Sequence, residues 1–355
     1  MLLKELFDFL PKPKRNASYG LAKGQYPFFT SSNIIDKYVD DHDYSGEFLI
    51  IGDGGTGNCK FYSGSFSASD HNYLLRPRNK TNALCVQYFL KRDNFKILNE
   101  GFKGVGIKNV SKTYIENIDY IYNRNFSEDE IVSNLMAIEQ AIMSDQRQLN
   151  LLNELIKSRF IEMFSTYNAT TTISSIATIC RGASPRPISK FITHNDGENW
   201  IKIGDVGEND IYVINAAEKI TAAGADRSRR VKPGDFILSN SMSFGRPYIL
   251  GINGCVHDGW LIISDYDKTF EPLFFYYLLR SQEVQAQFYG SANGSTVRNL
   301  NSELVRRVRV ITPPLELQKE FVLFAEQVDK SKFVVQERIK LYQELLDKKM
   351  DEYFN

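Results

Sequence analysis

The sequence has few cysteines and no long apolar run. Its four cysteines, Cys59, Cys85, Cys180 and Cys255, are scattered and form no C-x-x-C pair. This distribution argues against a disulfide framework and a zinc site, and it fits a reducing cytoplasm. No apolar stretch approaches the roughly 18–20 residues of a membrane span, and the N-terminus has no signal-peptide cleavage pattern. We therefore expect a cytoplasmic protein that contacts no membrane and binds no metal.

The sequence also lacks an excess of charge of either sign. Lys and Arg number 43, as do Asp and Glu, which at first disfavours a nucleic-acid partner. The balance is uneven along the chain, however, with 17 basic against 13 acidic residues over 1–125 and 16 against 14 over 167–312. The acidic excess is confined to two shorter blocks, 126–166 and 313–355. A neutral sum is compatible with DNA binding if one face of each larger block collects the basic side chains.

A glycine motif comes after the apolar run 48–51. Gly52, Gly54 and Gly57 have the G-x-G-x-x-G spacing of a dinucleotide-binding loop. Such a loop needs a helix directly after the glycines, whereas "NCKFYSGSFSAS" is typical of strand and turn. We interpret the glycines instead as a β-hairpin tip, where backbone N–H groups can closely approach another molecule.

The chain repeats itself with a shift of 188 to 190 residues. The first shift pairs Gly57 with Gly245 and Asp70 with Asp258, and the second pairs Lys108 with Arg298. A drift of two residues over more than a hundred positions predicts a tandem duplication.

Each repeat ends in a long helical pattern. Apolar residues recur in steps of three and four, and Asp145 and Arg159 occupy two further positions of the first seam. The positions are Ile131, Leu135, Ile138, Ile142, Leu149, Leu152, Ile156 and Met163, and then Phe321, Ala325, Val328, Val335, Ile339, Tyr342, Leu346 and Tyr353. This spacing is that of a coiled-coil seam, and Ser127 with Glu130 predicts a capping box. Each helix could pack on its own module, but the matched registers favour pairing between the two helices.

The residues before each helix are rich in strand and loop signals. Helical segments are expected at about 82–98 and 271–289, and "VRRVRVI" (305–311) is strand-like. The fold class predicted is α+β, with two mixed α/β modules, two long antiparallel coiled-coil helices and a pseudo-twofold internal repeat. The predicted boundaries are 1–125 for the first module, 126–166 for the first helix, 167–312 for the second module and 313–355 for the second helix.

The order of motifs resembles that of the specificity subunit of Type I DNA restriction–modification systems, over essentially the whole chain. In the second module the resemblance rests on "ISSIATICRGASPRP" (173–187), "WIKIGDV" (200–206), "VKPGDFILSNSMSFGRPYI" (231–249), "NGSTVRNL" (293–300) and "ITPPLELQKEF" (311–321). In the first it rests on "GQYPFFTSSN" (24–33), the segment 46–75 and "FKGVGIKNV" (102–110). The first module lacks the full Gly-small-Ser/Thr-Pro motif at its start and the double proline at its end.

The resemblance implies a non-catalytic reader of double-stranded DNA. Each module would be a target recognition domain for half of a split sequence, and the helices would set the gap. Partners would be two modification subunits that use S-adenosylmethionine and, in a full complex, two restriction subunits that use ATP and Mg²⁺. The chain itself would bind no cofactor, and it has neither a G-x-x-x-x-G-K-[ST] loop nor an Asn-Pro-Pro-aromatic methylation motif. Alternatives are a catalytic methyltransferase or nuclease, which these absences disfavour, and a protein-binding scaffold of a related defence system without DNA readout.

Candidate DNA contacts are loop residues that can bind phosphates or base edges. In the first module they are Lys12, Lys14, Arg15, Thr30, Ser31, Ser32, Asn33, Gly55, Thr56, Lys60, His71 and Lys108. In the second they are Ser184, Arg186, Arg227, Ser228, Arg229, Arg230, Asn240, Ser241, Phe244, Arg246 and Arg298.

Several of these candidates have a second interpretation. The run 227–230 could be a solvated loop, and Arg298 could form an ion pair within its module. His71 stands directly after Asp70, but a structural or DNA-facing histidine is favoured over a catalytic pair, since the second module has the order His257-Asp258. Arg306, Arg307 and Arg309 could contact phosphate or an acidic surface of a modification subunit.

Overall fold

The chain forms two compact units in a computed structural model. The structure describes all residues except Lys80, Ile107, Asn209, 241–243 and 291–299. Unit 1 comprises Met1–Gln148 together with Val335–Asn355, and unit 2 comprises Leu149–Val334. Each long helix therefore begins in one unit and ends in the other.

Unit 1 is a mixed sheet with helices. Its strands are β1 (Phe7–Phe9), β2 (Tyr26–Phe29), β3 (Tyr38–Val39), β4 (Tyr44–Gly52), β5 (Cys59–Ala68), β6 (Asn72–Pro77), β7 (Phe102–Lys103) and β8 (Asn109–Val110). Its helices are α1 (Leu3–Leu6), α2 (Ala83–Glu100), α3 (Lys112–Glu116) and the first part of α4 (Glu128–Phe164).

In the described residues, unit 2 contains more β-strands than unit 1. Its strands are β9 (Thr171–Thr172), β10 (Thr178–Arg181), β11 (Ile192–Thr193), β12 (Glu198–Ile201), β13 (Tyr212–Val213), β14 (Glu218–Ile220), β15 (Arg229–Val231), β16 (Phe236–Ser239), β17 (Pro247–Leu250), β18 (Gly254–Val256), β19 (Trp260–Ser264) and β20 (Arg309–Val310). Its helices are α5 (Ala222–Ala225), α6 (Pro272–Arg280), α7 (Gln282–Gly290), α8 (Ser302–Arg307) and the first part of α9 (Leu315–Phe354).

The internal repeat is visible in the sheet topology. The strand order is β1-β6-β4-β5-β2-β3 in unit 1 and β10-β19-β16-β17-β13 in unit 2. In both sheets the first four strands are antiparallel neighbours and the fifth is parallel to the fourth. Unit 2 also contains the sheet β11-β14-β12-β18-β15. The predicted duplication and the α+β class are therefore confirmed.

The apolar run of β4 is buried on both faces of the first sheet. Leu49 and Ile51 belong to the core that contains α2, and Phe48 and Ile50 belong to an aromatic cluster on the opposite face. A strand covered on both sides has no need of alternation between apolar and polar residues. This explains why 48–51 is a continuous apolar stretch.

Helices occupy both segments expected to be helical, although each is interrupted, and one expectation about a strand is wrong. The predicted helical segments are interrupted: α2 has non-helical φ and ψ angles from Arg92 to Phe95, and Ser281 separates α6 from α7 in an extended conformation. In the strand-like segment 305–311, residues 305–307 instead belong to α8, because Asn301 Oδ1 caps that helix by accepting a hydrogen bond from Leu304 N at 2.9 Å. Only Arg309–Val310 forms a strand, paired with β9.

The long helices have the predicted seam. Ser127 and Glu130 form the capping box, with Glu130 Oε2 accepting from Ser127 N at 2.8 Å and Ser127 Oγ from Glu130 N at 3.2 Å. In unit 1, Asn134 donates to Tyr353 Oη at 2.9 Å and Asp145 binds Arg338 through two hydrogen bonds of 2.6 Å. Since later residues of α4 meet earlier residues of α9, the helices are antiparallel, as predicted.

In unit 2 the end of α4 packs against the start of α9. The rings of Phe160 and Phe321 lie 5.3 Å apart, and Phe164 is 5.8 Å from Phe321. Arg159, at a seam position, binds Glu320 at 3.1 Å. The described part of the chain has no helix that is both long and apolar enough to cross a membrane.

Candidate nucleic-acid interface

The glycine motif forms the hairpin tip between β4 and β5, as predicted. Gly52 makes room for Asn58, because a Cβ at Gly52 would lie 2.6 Å from Asn58 Nδ2. Gly55 has a φ of +89°, which favours glycine. Its N–H donates to the carbonyl oxygen of Lys108 at 3.1 Å. The tip is thus joined to the β7–β8 segment, and Lys108 comes close to Gly55.

An aspartate in this tip gathers two of the predicted contacts. Asp53 is buried and binds the Lys12 ammonium and, at 3.1 Å, His71 Nδ1. The ammonium also lies 4.6 Å from the centre of the Tyr73 ring. Lys12 and His71 are far apart in sequence, and the carboxylate brings them together beside the hairpin.

The loop 30–33 lies against the same tip. Asn58 Nδ2 donates to the carbonyl oxygens of Ser31, at 2.8 Å, and Thr56, at 3.2 Å. Asn58 Oδ1 accepts from Lys60 Nζ at 3.1 Å. Within the loop, Thr30 Oγ1 accepts from Ser32 N at 3.3 Å. Ser32, Asn33 and Thr56 are exposed, whereas Lys60 is buried.

Two basic candidates near the start of the chain differ from each other. Lys14 is exposed. Arg15 binds Asp41 and Asp43 at 2.7 Å each and its side chain is only 16% exposed. The hydrogen bond to Asp41 is the main cause of the raised pKa of Arg15. Arg15 therefore already has two carboxylate partners, which favours a structural role for it.

In unit 2 an aspartate again gathers the candidates. Asp258 accepts hydrogen bonds from Ser184 Oγ at 2.8 Å and Arg186 at 2.9 Å, and His257 Nε2 lies 3.1 Å from it. Burial acts to raise the pKa of Asp258, but the Ser184 hydrogen bond and the neighbouring positive charges outweigh it and lower that pKa. The Asp258 carbonyl oxygen also accepts from Arg181 Nε at 2.9 Å. The contacts predicted from the sequence include neither Arg181 nor Asp258.

The arginine run 227–230 is anchored to the same surface. Ser228 Oγ donates to the carbonyl oxygen of Ala183 at 2.6 Å, beside Ser184. Arg227 stacks over Phe191, and Arg230 binds Asp226 at 2.9 Å. Arg229 is exposed on β15. The run is therefore partly engaged within the unit and adjoins the Asp258 cluster.

The turn between β16 and β17 contributes Asn240, Phe244 and Arg246. Asn240 Nδ2 lies 3.4 Å from the Asp258 carbonyl oxygen, which joins this turn to the cluster. Phe244 stacks on Tyr289 with ring centres 5.2 Å apart, and Arg246 binds Glu208 at 2.8 Å. Ser241 and Arg298 lie outside the described residues.

The repeat extends to these loop contacts. Val110 N donates to the carbonyl oxygen of Asp53 at 3.0 Å, and Leu300 N donates to that of Asn240 at 2.8 Å. In each unit an aspartate binds a histidine and a cation from the segment after the first strand of the sheet. Each unit thus presents one cluster of loop cations, amides and hydroxyls, the groups that bind phosphates and base edges. No group of three or more His, Cys, Asp or Glu among the described residues could hold a metal ion.

Comparison with known proteins gives one consistent result. A family model described as "Type I restriction modification DNA specificity domain" matches residues 1–143 and 168–343. A candidate type I restriction enzyme specificity subunit of Haemophilus influenzae is 23% identical over 325 residues, covering 86% of this chain and 80% of that protein.

Solved structures show the same fold. The S subunit of a Type I restriction–modification system from M. genitalium aligns with a TM-score of 0.61 and 13% identity, covering 100% of this chain and 95% of that one. A chain from a structural study of complex assembly and conformational transition of the type I R-M system aligns with a TM-score of 0.62 and 16% identity, covering 99% and 96%.

Proposed function

We propose that each of the two units reads one half of a split DNA target, because the chain belongs to the family of Type I restriction–modification DNA specificity subunits. The chain is the DNA-recognition subunit of such a system, and it is not itself an enzyme. The observation that carries the proposal is the repeated cluster of loop side chains at the same end of two topologically equivalent sheets.

The two clusters suggest how recognition is divided. Lys12, Lys108 and Arg186 would bind backbone phosphates and fix each unit on the duplex. The exposed Asn33 carries an amide that matches the edge of adenine, whereas Asn240, also predicted as a contact, is buried and holds its turn to Asp258. We retain 1–125 and 167–312 as the recognition domains, with 126–166 and 313–355 as the helices that set the gap.

The helices also offer a surface for other subunits of the system. Six apolar side chains of α9 are exposed, and four of them lie in line along the helix, namely Leu323, Val334, Leu341 and Leu345, whereas Leu315 and Phe333 lie elsewhere around it. Val334, Leu341 and Leu345 lie 11, 18 and 22 residues after Leu323, close to whole numbers of turns at about 3.6 residues per turn, so these four share one face. The seam residues Phe321, Ala325 and Val328 lie on the other side and are buried. An exposed apolar stripe of this kind favours a protein partner.

We assign that surface to two modification subunits, one for each half of the repeat. These subunits would carry S-adenosylmethionine and methylate adenine, while restriction subunits, where present, would use ATP and Mg²⁺. The four free cysteines are compatible with a cytoplasmic location, where such a complex would meet DNA.

Single-molecule sequencing of methylated adenines tests the proposal. Cells with the intact gene should show one motif of two short half-sites separated by a fixed gap, and deletion of the gene should remove that motif. Restoring the gene with Arg186→Ala should weaken methylation of the motif without changing its sequence, because a phosphate contact does not distinguish bases. An unchanged methylome with an assembled complex would instead favour a scaffold that does not read DNA.

A further inference from the structure

Lys60 is a buried lysine without a charged partner. It lies on β5 opposite Ile50 and is 9% exposed. Among the described residues its Nζ donates to one acceptor, Asn58 Oδ1, and no carboxylate lies within 4.0 Å of it. Burial lowers the pKa of the Lys60 ammonium below that of an ordinary lysine. Because an uncompensated buried charge destabilises a fold, a reason other than stability is needed for this lysine.

Specific hydrogen bonds and a glycine fix the position of the residue that binds Lys60. Asn58 is held by its bonds to the carbonyl oxygens of Ser31 and Thr56, and Gly52 leaves the space that the amide occupies. With both of these donations made, the amide oxygen of Asn58 is directed at Lys60. The ammonium is thus fixed beside the loop 30–33 and the hairpin tip.

We propose that Lys60 Nζ binds a backbone phosphate of the DNA at the first half-site. Base edges are neutral acceptors, as Asn58 already is, so only an anion supplies the charge that Lys60 lacks. The ammonium has further N–H groups to donate, and a charge-assisted hydrogen bond of this kind is stronger than a neutral one. The phosphate would seat the loop 30–33 and the hairpin tip on the duplex. This inference rests on the proposed function and assigns one residue a role in it.

The test is Lys60→Met, which keeps the length of the side chain and removes the charge. The full chain, assembled with its modification subunit, is titrated with duplex DNA carrying the split target at several salt concentrations. Affinity should fall about ten- to hundredfold, and the slope of log K against log salt should become shallower by about 0.9. The loss should be equal for targets with different bases in the first half-site. The thermal midpoint of the variant should be equal to or above that of the wild type.

Lys4→Met is the matched control. Lys4 is exposed on α1 in the same unit, beside the end of the sheet where Phe7 pairs with Pro77, whereas the hairpin tip follows the opposite end, where Gly52 pairs with Asn72. The variant therefore removes the same charge at a distance from the two loops. It should leave the salt slope of the wild type nearly unchanged. Binding of Lys60→Met equal to that of the control would overturn the inference, as would a loss confined to one base pair or a lower thermal midpoint together with weaker binding. A wild-type complex that binds no split target would instead overturn the proposed function, so the two failures are distinguishable.

Discussion

Shortening both long helices by one heptad should shorten the gap between the half-sites. Asp145 faces Arg338 in an antiparallel pair, so residues 142–148 lie opposite residues 335–341. Deleting both segments keeps the seam in phase, because Ile138 is then followed by Leu149 at a spacing of four residues. Each deletion removes about 10.5 Å of helix at 1.5 Å per residue. At about 3.4 Å per base pair this corresponds to a gap shorter by about three base pairs.

The assay is selection from a DNA library in which the two half-sites are separated by gaps of every length in a series. The wild-type complex should select one gap, and the shortened complex a gap about three base pairs shorter with the same half-site sequences. The shorter gap also turns one half-site by about 100° around the DNA axis, at about 10.5 base pairs per turn. We therefore expect weaker binding of the shortened complex even to its preferred target.

The deletion also removes the Asp145–Arg338 ion pair, which needs its own control. The variant Asp145→Leu with Arg338→Leu removes the pair and keeps both helices at full length. It should select the wild-type gap, because both helices keep their length, and the half-exposed pair (the Arg338 side chain is 42% exposed) contributes little to stability. If the shortened protein selected the wild-type gap, or if the half-site sequences changed, the helices would not set the spacing.

Three smaller changes test other parts of the structure. Asp258→Asn should weaken binding at the second half-site and not at the first, because the carboxylate holds Ser184; equal weakening at both in competition assays would contradict this. Phe164→Ala should lower the free energy of unfolding by about 3–5 kcal/mol, measured in urea, since the ring is buried. Ser127→Ala should lower it by about 1 kcal/mol. The hydrogen bond from the Ser127 N–H lowers the pKa of Glu130. The stabilisation that the Glu130 carboxylate adds to the cap is therefore full at neutral pH and lost as pH falls through the lowered pKa. A Glu130→Gln variant whose stability depends on acid pH as the wild type does would refute this.

The duplication and the paired long helices could be predicted, because motifs recur after about 190 residues and apolar side chains recur every three or four residues. Every predicted apolar seam residue of α4, from Ile131 to Met163, is buried or half-buried, and Asp145 at its seam position is buried and binds Arg338. The hairpin tip at 52–57 was predictable from the strand-like residues that come after the glycines. The errors lie where local signals compete. The alternating pattern over 305–311 does not form a strand along its whole length, because a cap at Asn301 starts a helix first.

The assignment of the DNA contacts was less accessible, because strand pairing decides which distant side chains meet. In the sequence His71 stands next to Asp70, yet it binds Asp53, since β4 and β6 are neighbours and Gly52 pairs with Asn72. The internal repeat aligns Asp70 with Asp258, which binds the cations of unit 2, but in unit 1 that role belongs to Asp53, so the repeat alone does not identify both carboxylates. The sign of their charge does not predict carboxylates on a surface that binds DNA, because carboxylates repel phosphates.

Under the proposed function, these carboxylates have a role that the count of charges does not suggest. A free lysine or arginine on a loop binds any phosphate within reach, whereas Lys12 and Arg186 are each held at one point by an aspartate. A cation held in place can still contact a phosphate, but only where the backbone of a correctly seated duplex brings one to it. Under the proposed function, the aspartates would hold each cation at one position, which weakens general attraction to DNA and favours one register, consistent with a chain whose net charge is zero. For a subunit that must select one split sequence among many, a fixed arrangement of cations is worth more than a strong positive field.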